Sequence, residues 1–246
     1  MSSILVTGGT GRLGTPTVTR LRSAGHDVRV LSRRAGPGHV IGDLQTGAGI
    51  TQAVAGVATV VHLATRNGRG DVAPTRLLLE ACRAAGVGHV VFMSIVGVDR
   101  IPLGYYREKL TIEDLLGSSG MPHTILRATQ FHELVAGLFS AQRYLPVIFA
   151  PRISFQPISV QDVAARVAEL AGADAAGRVP DIGGPETLQA RELARQWEVA
   201  ASVRRRIVSF SLPGKTFAGY AAGHNLVPGQ AYGSGTFGDF LAERYR

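Results

Sequence analysis

Short β-branched, apolar runs alternate along the first half of the chain with stretches whose apolar positions recur at helical spacing. Strands are predicted at Ile4–Val6, Val28–Leu31, Val40–Ile41, Thr59–Leu63, His89–Met93 and Thr124–Leu126. Helices are predicted at Leu13–Ser23, Ile50–Ala55, Val72–Ala85 and Leu103–Leu116. In Val72–Ala85 the residues Leu77, Leu78, Ala81, Cys82 and Ala85 form the expected apolar face, and Gly86 ends the helix. The runs Thr59-Val60-Val61-His62-Leu63 and His89-Val90-Val91-Phe92-Met93 are apolar on both faces, as central parallel strands covered by helices must be. Pro16 fits a first helical turn, where its missing N–H costs little.

Strand–helix alternation with short turns implies an α/β fold, a Rossmann-type doubly wound parallel sheet with right-handed crossovers. Beyond Leu126 the regularity weakens. Tyr144–Phe149 and Ile153–Phe155 read as proline-broken strands, Val160–Ala171 as a helix and Val179–Ile182 as another short strand. Thr187 is expected to cap a helix containing Leu188, Leu193 and Trp197. The organisation expected is one Rossmann-type domain over residues 1–246, with a small second lobe built mainly from 129–157 and 178–246.

A chain of 246 residues, 45% of them hydrophobic, can bury a full core. No apolar run approaches the roughly 20 residues that cross a bilayer, and no secretory leader pattern is present. Cys82 is the only cysteine, so no internal disulfide forms and a cytoplasmic location is expected. The net charge of +8 comes from scattered arginines, the densest run being Arg204-Arg205-Arg206, which is too short for a nucleic-acid tail. No nucleic-acid or membrane partner is expected, only a small-molecule substrate, in a monomer or homodimer. The histidines (26, 39, 62, 89, 123, 132 and 224) are well separated, and no metal site is expected.

The candidate chemistry begins at Ile4-Leu5-Val6-Thr7-Gly8-Gly9-Thr10-Gly11-Arg12-Leu13-Gly14. Gly8 can take the turn that ends the strand, Gly11 lets backbone approach a phosphate, and Gly14 lets the helix pack against the sheet. The free amides and dipole of that helix start favour a pyrophosphate. At the end of the second strand, where an NAD site often carries Asp or Glu, this chain has Ser32-Arg33-Arg34. Arginine suits a 2′-phosphate, so the cofactor expected is NADP(H), with Arg33, Arg34 and Arg12 as positive contacts. Asp43 could accept a hydrogen bond from the adenine amino group. Tyr105 and Lys109 lie at i and i+4 on a predicted helix, with Ser94 at the carboxyl end of the fifth strand. A neighbouring ammonium lowers a phenol pKa, which would let Tyr105 exchange a proton near neutral pH while Ser94 holds the substrate oxygen.

Here the sequence resembles a known family. Thr7–Gly14, Gly42-Asp43-Leu44 and Val61-His62-Leu63-Ala64 resemble short-chain dehydrogenases/reductases. Met93-Ser94, Tyr105-Tyr106-Arg107-Glu108-Lys109-Leu110 with Glu113, and Thr124-Ile125-Leu126-Arg127-Ala128-Thr129-Gln130-Phe131 are similar to the atypical, NmrA-like branch. The resemblance covers nearly the whole chain, more loosely toward its end. It implies that Gly8, Gly11 and Gly14, with Thr10, Arg12 and Leu13, cradle the pyrophosphate, and that Asp43 and Leu44 flank the adenine. Leu63, Ala64 and Thr65 would line the ribose side, and Lys109 would hold the nicotinamide ribose. Thr129, Gln130, Phe131 and His132 would border the nicotinamide end as the substrate region.

The function expected is an NADPH-dependent oxidoreductase that reduces a small, largely apolar carbonyl, enone or quinone by hydride transfer. Phe131, His132, Leu134, Phe139, Phe149 and Phe155 are the expected pocket lining. The alternative is a non-catalytic NADP(H)-binding redox sensor of the NmrA type. A nucleotide-sugar epimerase is a third reading, disfavoured by the short lobe.

Overall fold

The computed structural model describes residues 2–66, 68, 70–229 and 231–246. Its elements run β1 (Ser3–Thr7), α1 (Gly14–Ser23), β2 (Asp27–Ser32), β3 (His39–Ile41), α2 (Ile50–Val54), β4 (Thr59–His62), α3 (Val72–Ala84), β5 (His89–Ile95), α4 (Gly104–Ser118) and β6 (His123–Ala128). They continue with α5 (His132–Ser140), β7 (Val147–Pro151), β8 (Ser154–Phe155), α6 (Val160–Gly172), β9 (Gly177–Arg178) and β10 (Leu188–Gln189). The last are α7 (Ala190–Ala200), β11 (Arg206–Phe210), α8 (Lys215–Ala221) and α9 (Phe237–Arg244).

The chain divides into two compact units. The first, Met1–Ser94, Gly104–Arg127 and Val163–Pro180, is built on a parallel sheet whose described strands run β3-β2-β1-β4-β5-β6-β9. Val6 of β1 sits beside Val30 on one side and Val61 on the other. Strand order therefore reverses between β1 and β4, and at such a switch point ligands bind beyond the carboxyl ends of the strands. Helices cover both faces, so Thr59–His62 are buried at every position. Leu5, Val60, Leu78, Phe92 and Leu116 centre the main core, with Cys82 fully buried among them. Burial pushes the Cys82 thiol up to about 12, leaving it an inert packing group.

Helix α3 turns a different face inward from the one expected. Pro74, Thr75, Leu78, Leu79 and Cys82 are buried, whereas Leu77 is 40% exposed. The alanines at 81 and 85 widened the apparent stripe without fixing its centre. The expected strand Val179–Ile182 starts earlier, at Gly177–Arg178, which pairs with Thr124 and Ile125.

Buried charge ties α4 to β6. Arg127 donates to Glu113 through Nε at 2.9 Å and Nη2 at 2.6 Å, and the Ser94 hydroxyl donates to the same carboxylate. Arg127 and Glu113 are both almost wholly buried.

The second unit comprises Ile95–Leu103, Ala128–Asp162 and Asp181–Arg246. Its core gathers Val135, Phe139, Ile148, Phe155, Leu193, Trp197, Phe237 and Leu241. Strand β11 runs parallel to β7, and β8 pairs antiparallel with β10. Thr187 does not cap a helix: Leu188–Gln189 is extended and α7 starts at Ala190. Ile182 forms an isolated parallel bridge with Ala128. Arg205 is structural, donating to the carbonyls of Gln142 and Leu145 and lying 5.6 Å from the Trp197 ring. Among the described residues no helix is long and apolar enough to cross a membrane.

Removing one partner of a buried ion pair leaves the other charge uncompensated. Arg127→Met is expected to lower stability by about 3–5 kcal/mol, read from the urea midpoint at unchanged slope. Ser94→Ala, which removes one hydrogen bond to a charged acceptor, is expected to cost about 1.5–3 kcal/mol.

Candidate active site

The turn after β1 fits the backbone path of a dinucleotide loop. Gly8 has φ +69°, and a Cβ there would lie 2.7 Å from the Ala64 amide nitrogen. A Cβ on Gly14 would strike the Gly8 carbonyl oxygen and lie 2.6 Å from the Gly9 Cα. Both positions face backbone, which cannot move aside, so only glycine fits. The Gly11 amide donates to the Gly8 carbonyl at 2.9 Å and closes the turn. No side chain caps α1, but the Thr15 amide donates to the Gly11 carbonyl at 3.0 Å and Pro16 has no N–H, so of the first three helical positions only Gly14 can offer its amide to an anion. Thr10, Gly11 and Arg12 are exposed there, while the Leu13 side chain is buried and only its backbone can face a ligand. Pro16 falls in the first turn of α1, as its chemistry requires.

At the end of β2, Arg33 and Arg34 are exposed. The Arg34 amide donates to the Ser32 hydroxyl at 3.1 Å. Asp43 forms an Asx turn, accepting from the Gln45 amide at 2.9 Å, and Leu44 packs against the core from a half-buried position. Leu63 and Ala64 are half-buried beyond β4, with the Ala64 amide 3.3 Å from the Thr7 hydroxyl. The residues present therefore fit a dinucleotide: a turn with glycine where backbone meets backbone, a helix start without a side-chain cap and exposed cations at the second strand.

Tyr105 and Lys109 share one face of α4, as their spacing predicts. The Lys109 ammonium is 4% exposed, 3.2 Å from the Met93 carbonyl, 4.7 Å from the Phe92 ring centre and 5.9 Å from the Tyr105 ring centre. Burial lowers its pKa to about 8, partly opposed by Asp71 and Glu113. The Tyr105 phenol oxygen lies 3.1 Å from the Thr65 hydroxyl. Its pKa is raised rather than lowered: burial comes first, with the Asp71 charge adding to it and the Thr65 hydrogen bond opposing. The expected lowering of the phenol pKa by Lys109 is overturned: the ammonium is 5.9 Å from the ring centre, and burial of the phenol prevails. Ser94 is buried against Glu113 and does not join this pair.

Several polar residues near the pair went unassigned in the sequence. His62 is buried between Thr7 (Nδ1, 2.7 Å) and Thr75 (Nε2, 2.9 Å) and stacks on Phe92. Burial, with Lys109 adding to it, lowers its pKa to about 3, so the imidazole is neutral. Because Thr75 gives its hydrogen to the Asp71 carbonyl, it accepts from Nε2–H, and Thr7 must donate to Nδ1. Asp71 accepts from the Thr65 hydroxyl at 2.6 Å and the Arg66 amide at 3.0 Å. Glu108 accepts from the amides of Gly70 and Asp71, both at 3.1 Å. In sequence, Asp71 reads as a helix start and Glu108 as a solvated neighbour of Lys109.

The expected substrate residues lie in the second unit. The Thr129 hydroxyl donates to the Gln156 carbonyl at 2.5 Å, and His132 Nε2 is 3.2 Å from the Pro157 carbonyl. Gln130 is buried and Phe131 half-buried. The six-residue apolar lining does not gather: Phe139 and Phe155 belong to the unit's core, whereas Leu134 and Phe149 are exposed. Alternating burial along α5 and β7 separates residues that composition alone groups together. Among the described residues no cluster of His, Cys, Asp or Glu could hold a metal ion.

A family model described as NAD(P)H-binding matches residues 8–174. The chain belongs to this family. Its cofactor is accordingly a nicotinamide dinucleotide, and the NAD(P)H-binding match spans the glycine turn, Tyr105 and Lys109. A (4-alkanoyl-5-oxo-2,5-dihydrofuran-3-yl)methyl phosphate reductase of Streptomyces griseus is 31% identical over 208 residues, covering 78% of this chain and 72% of that protein. A chloroplastic divinyl chlorophyllide a 8-vinyl-reductase of Oryza sativa is 29% identical over 221 residues, covering 75% of this chain. The chain spans only 55% of that plant protein's length. Among solved structures, an NADPH-dependent quinone oxidoreductase of Escherichia coli complexed with NADPH superposes with a TM-score of 0.86 at 20% identity, over 99% of this chain and all of that one. A Staphylococcus aureus nucleoside-diphosphate-sugar epimerase superposes with a TM-score of 0.81 at 17% identity, over 98% of this chain and 99% of that one. At such identities these likenesses speak for the fold alone.

Gly14→Ala is expected to weaken NADPH binding by more than about tenfold while leaving the circular dichroism spectrum intact, since its Cβ meets only the turn's backbone. The charged form of Lys109 is the stronger donor to ribose hydroxyls, and it is lost as pH rises through about 8. NADPH affinity measured by fluorescence titration is therefore expected to fall above that pH, and Lys109→Met to flatten the dependence.

Proposed function

We propose that this chain is an NADPH-dependent reductase of a small, largely apolar carbonyl, enone or quinone, with Tyr105 as the proton donor. The observation that carries the reading is the pair itself: a phenol held at the carboxyl side of the sheet one helical turn from a buried ammonium. When bound, the nicotinamide supplies the hydride. Tyr105 then has to deliver a proton from its hydroxyl to the substrate oxygen. A raised pKa keeps the phenol loaded at neutral pH, which suits an acid in the reductive direction. Lys109 would donate to the hydroxyls of the nicotinamide ribose, and Ser94, through Glu113, would hold α4 in place rather than touch substrate. The names of the rice and Streptomyces relatives support a reductase.

Preference for NADPH over NADH rests on Arg33 and Arg34 at the end of β2, where no carboxylate stands to repel a 2′-phosphate. Thr129, Gln130, Phe131 and His132 remain the proposed substrate-side residues. A non-catalytic NADP(H) sensor is the second reading, favoured by one observation: the Tyr105 hydroxyl is already engaged by Thr65.

With NADPH and a panel of quinones and enones, nicotinamide absorbance is expected to fall, and Tyr105→Phe to lower kcat by about 10²-fold. Tight NADPH binding without turnover of any of them would decide for the sensor. Arg33→Ala is expected to narrow the gap between NADPH and NADH affinities, and equal affinities in the parent protein would refute the cofactor assignment.

A further inference from the structure

Asp71 stands at the N-terminal boundary of α3, where an aspartate ordinarily caps the first-turn amides. Its carboxylate makes no such cap. It is turned the other way, with Oδ2 accepting from the Thr65 hydroxyl at 2.6 Å and Oδ1 from the Arg66 amide at 3.0 Å. Asp71 is only 6% exposed, so this orientation places a buried charge beside a hydroxyl instead of a helix end.

Hydrogen counting fixes the direction of the chain. An ionised carboxylate only accepts, so the Thr65 hydrogen lies on Asp71. The Thr65 oxygen can then meet Tyr105, 3.1 Å away, only as an acceptor, and the phenol hydrogen points at Thr65. The order is Tyr105 O–H to Thr65 O–H to Asp71 carboxylate. Two further anchors hold the aspartate's segment: the Gly70 and Asp71 amides donate to Glu108, three residues after Tyr105, and the Asp71 carbonyl accepts from Thr75. The loop carrying the acid is thus fastened to the helix carrying the phenol.

We propose that Thr65 and Asp71 form a proton conduit that reloads Tyr105 from solvent during each reductive turnover. This rests on the reading of Tyr105 as proton donor. In the reductive direction the substrate oxygen takes the phenol proton as its carbon receives the hydride. The phenolate takes the Thr65 hydroxyl hydrogen, and the Thr65 oxygen takes a proton from the Asp71 carboxyl group. The Asp71 carboxylate, ionised at rest, takes that proton from solvent hydronium and is ionised again once it has passed it on, so one solvent proton is consumed for each hydride transferred. The charged groups around the phenol are Asp71 and, on its own helix, Glu108 and Lys109, with Glu113 and the neutral His62 beyond the lysine. Asp71 and Thr65 are positioning and relay groups, and neither needs to touch substrate.

The test uses the full chain, with NADPH and menadione as the probe quinone. In steady-state reduction, where every cycle needs a reloaded phenol, Thr65→Val and Asp71→Asn are each expected to slow turnover about tenfold, and the double variant to be no slower than either alone. Thr65→Ser, which keeps the hydroxyl, is expected to stay within about twofold of the parent, and NADPH affinity to change by less than about threefold in Asp71→Asn. Losses that multiply in the double variant, or a serine variant as slow as the valine one, would overturn the conduit. A second measurement needs no turnover. In cofactor-free protein with an isotope-labelled tyrosine Cζ, the Tyr105 signal is expected to be displaced by a step from that of an unbonded phenol, because its hydroxyl donates to Thr65. That step should vanish in Thr65→Val and persist in Thr65→Ser. A parent signal without the step sinks the hydrogen-bonded chain itself. A step accompanied by no menadione turnover sinks instead the reading of Tyr105 as a donor, and the conduit's function goes with it.

Discussion

The close approach of three stretches of backbone at the end of β1 is the constraint on which the first unit's chemistry depends. Gly8, Gly14 and the Ala64 amide lie so near one another that one added methyl group collides with peptide atoms. That crowding seats α1 directly above the carboxyl end of the sheet and leaves its start without a side-chain cap. It also fixes where the chain leaves β4, because Ala64 is held to the Thr7 hydroxyl and Leu63 to the Thr7 carbonyl. Thr65 follows immediately, and from Thr65 the network reaches Asp71 and Tyr105. The placement of the phenol's hydrogen-bond partner therefore follows from a packing condition in the first fourteen residues.

Behind the site, buried polar groups hold the framework at specific distances. His62 is kept neutral between two threonines and transmits the placement of β1 to α3 without bringing in a charge. Glu113 and Arg127 do bring in charges, but each is matched in the interior, and Ser94 occupies a further lone pair. A single buried ion pair adds little net stability, since desolvation offsets much of its attraction. Its consequence is registry, because α4 cannot slide along β6 without stranding a carboxylate. Tyr105 and Lys109 ride on that helix, so the pair's precision is set from below.

The alternation of apolar runs made the sheet and its crossovers legible, because a strand buried on both faces leaves little choice of composition. The predicted strands from Ile4 to Leu126 fall on observed ones, with ends displaced by at most two residues; five are longer than expected and Thr59–Leu63 stops one residue early, at His62. The glycine turn was equally legible, since its spacing encodes a backbone path. What was not legible depended on tertiary partners. Helix α5 begins at His132 with apolar residues on both faces and offers no clean period, so its Leu134 and Leu138 are exposed while Val135 and Phe139 are buried. Helix α9 carries a full capping box from Thr236 and Asp239 that lay unnoticed in a glycine-rich tail. Ser94 was read as facing substrate because strand ends usually do, but the pairing of Glu113 with Arg127 supplied a stronger buried acceptor. Asp71 was invisible for a similar reason: an aspartate before a helix reads as a cap, and only the fold turns it toward Thr65 and Arg66.

The protonation states around the pair favour one direction of chemistry. A tyrosine acting as a base needs a stabilised phenolate, which an ammonium at its hydroxyl would provide. Here the ammonium lies 5.9 Å from the ring centre, burial penalises the phenolate, and Asp71 adds a negative charge, so the phenol stays protonated. The same burial loosens the proton on Lys109, which sits near its titration point in the absence of a ligand. An anionic cofactor shifts that balance back toward the ammonium, because a nearby opposite charge favours the charged form. Binding thus restores the cation while leaving the phenol loaded. A site tuned this way is better suited to giving a proton than to taking one, and a reductase needs that sense.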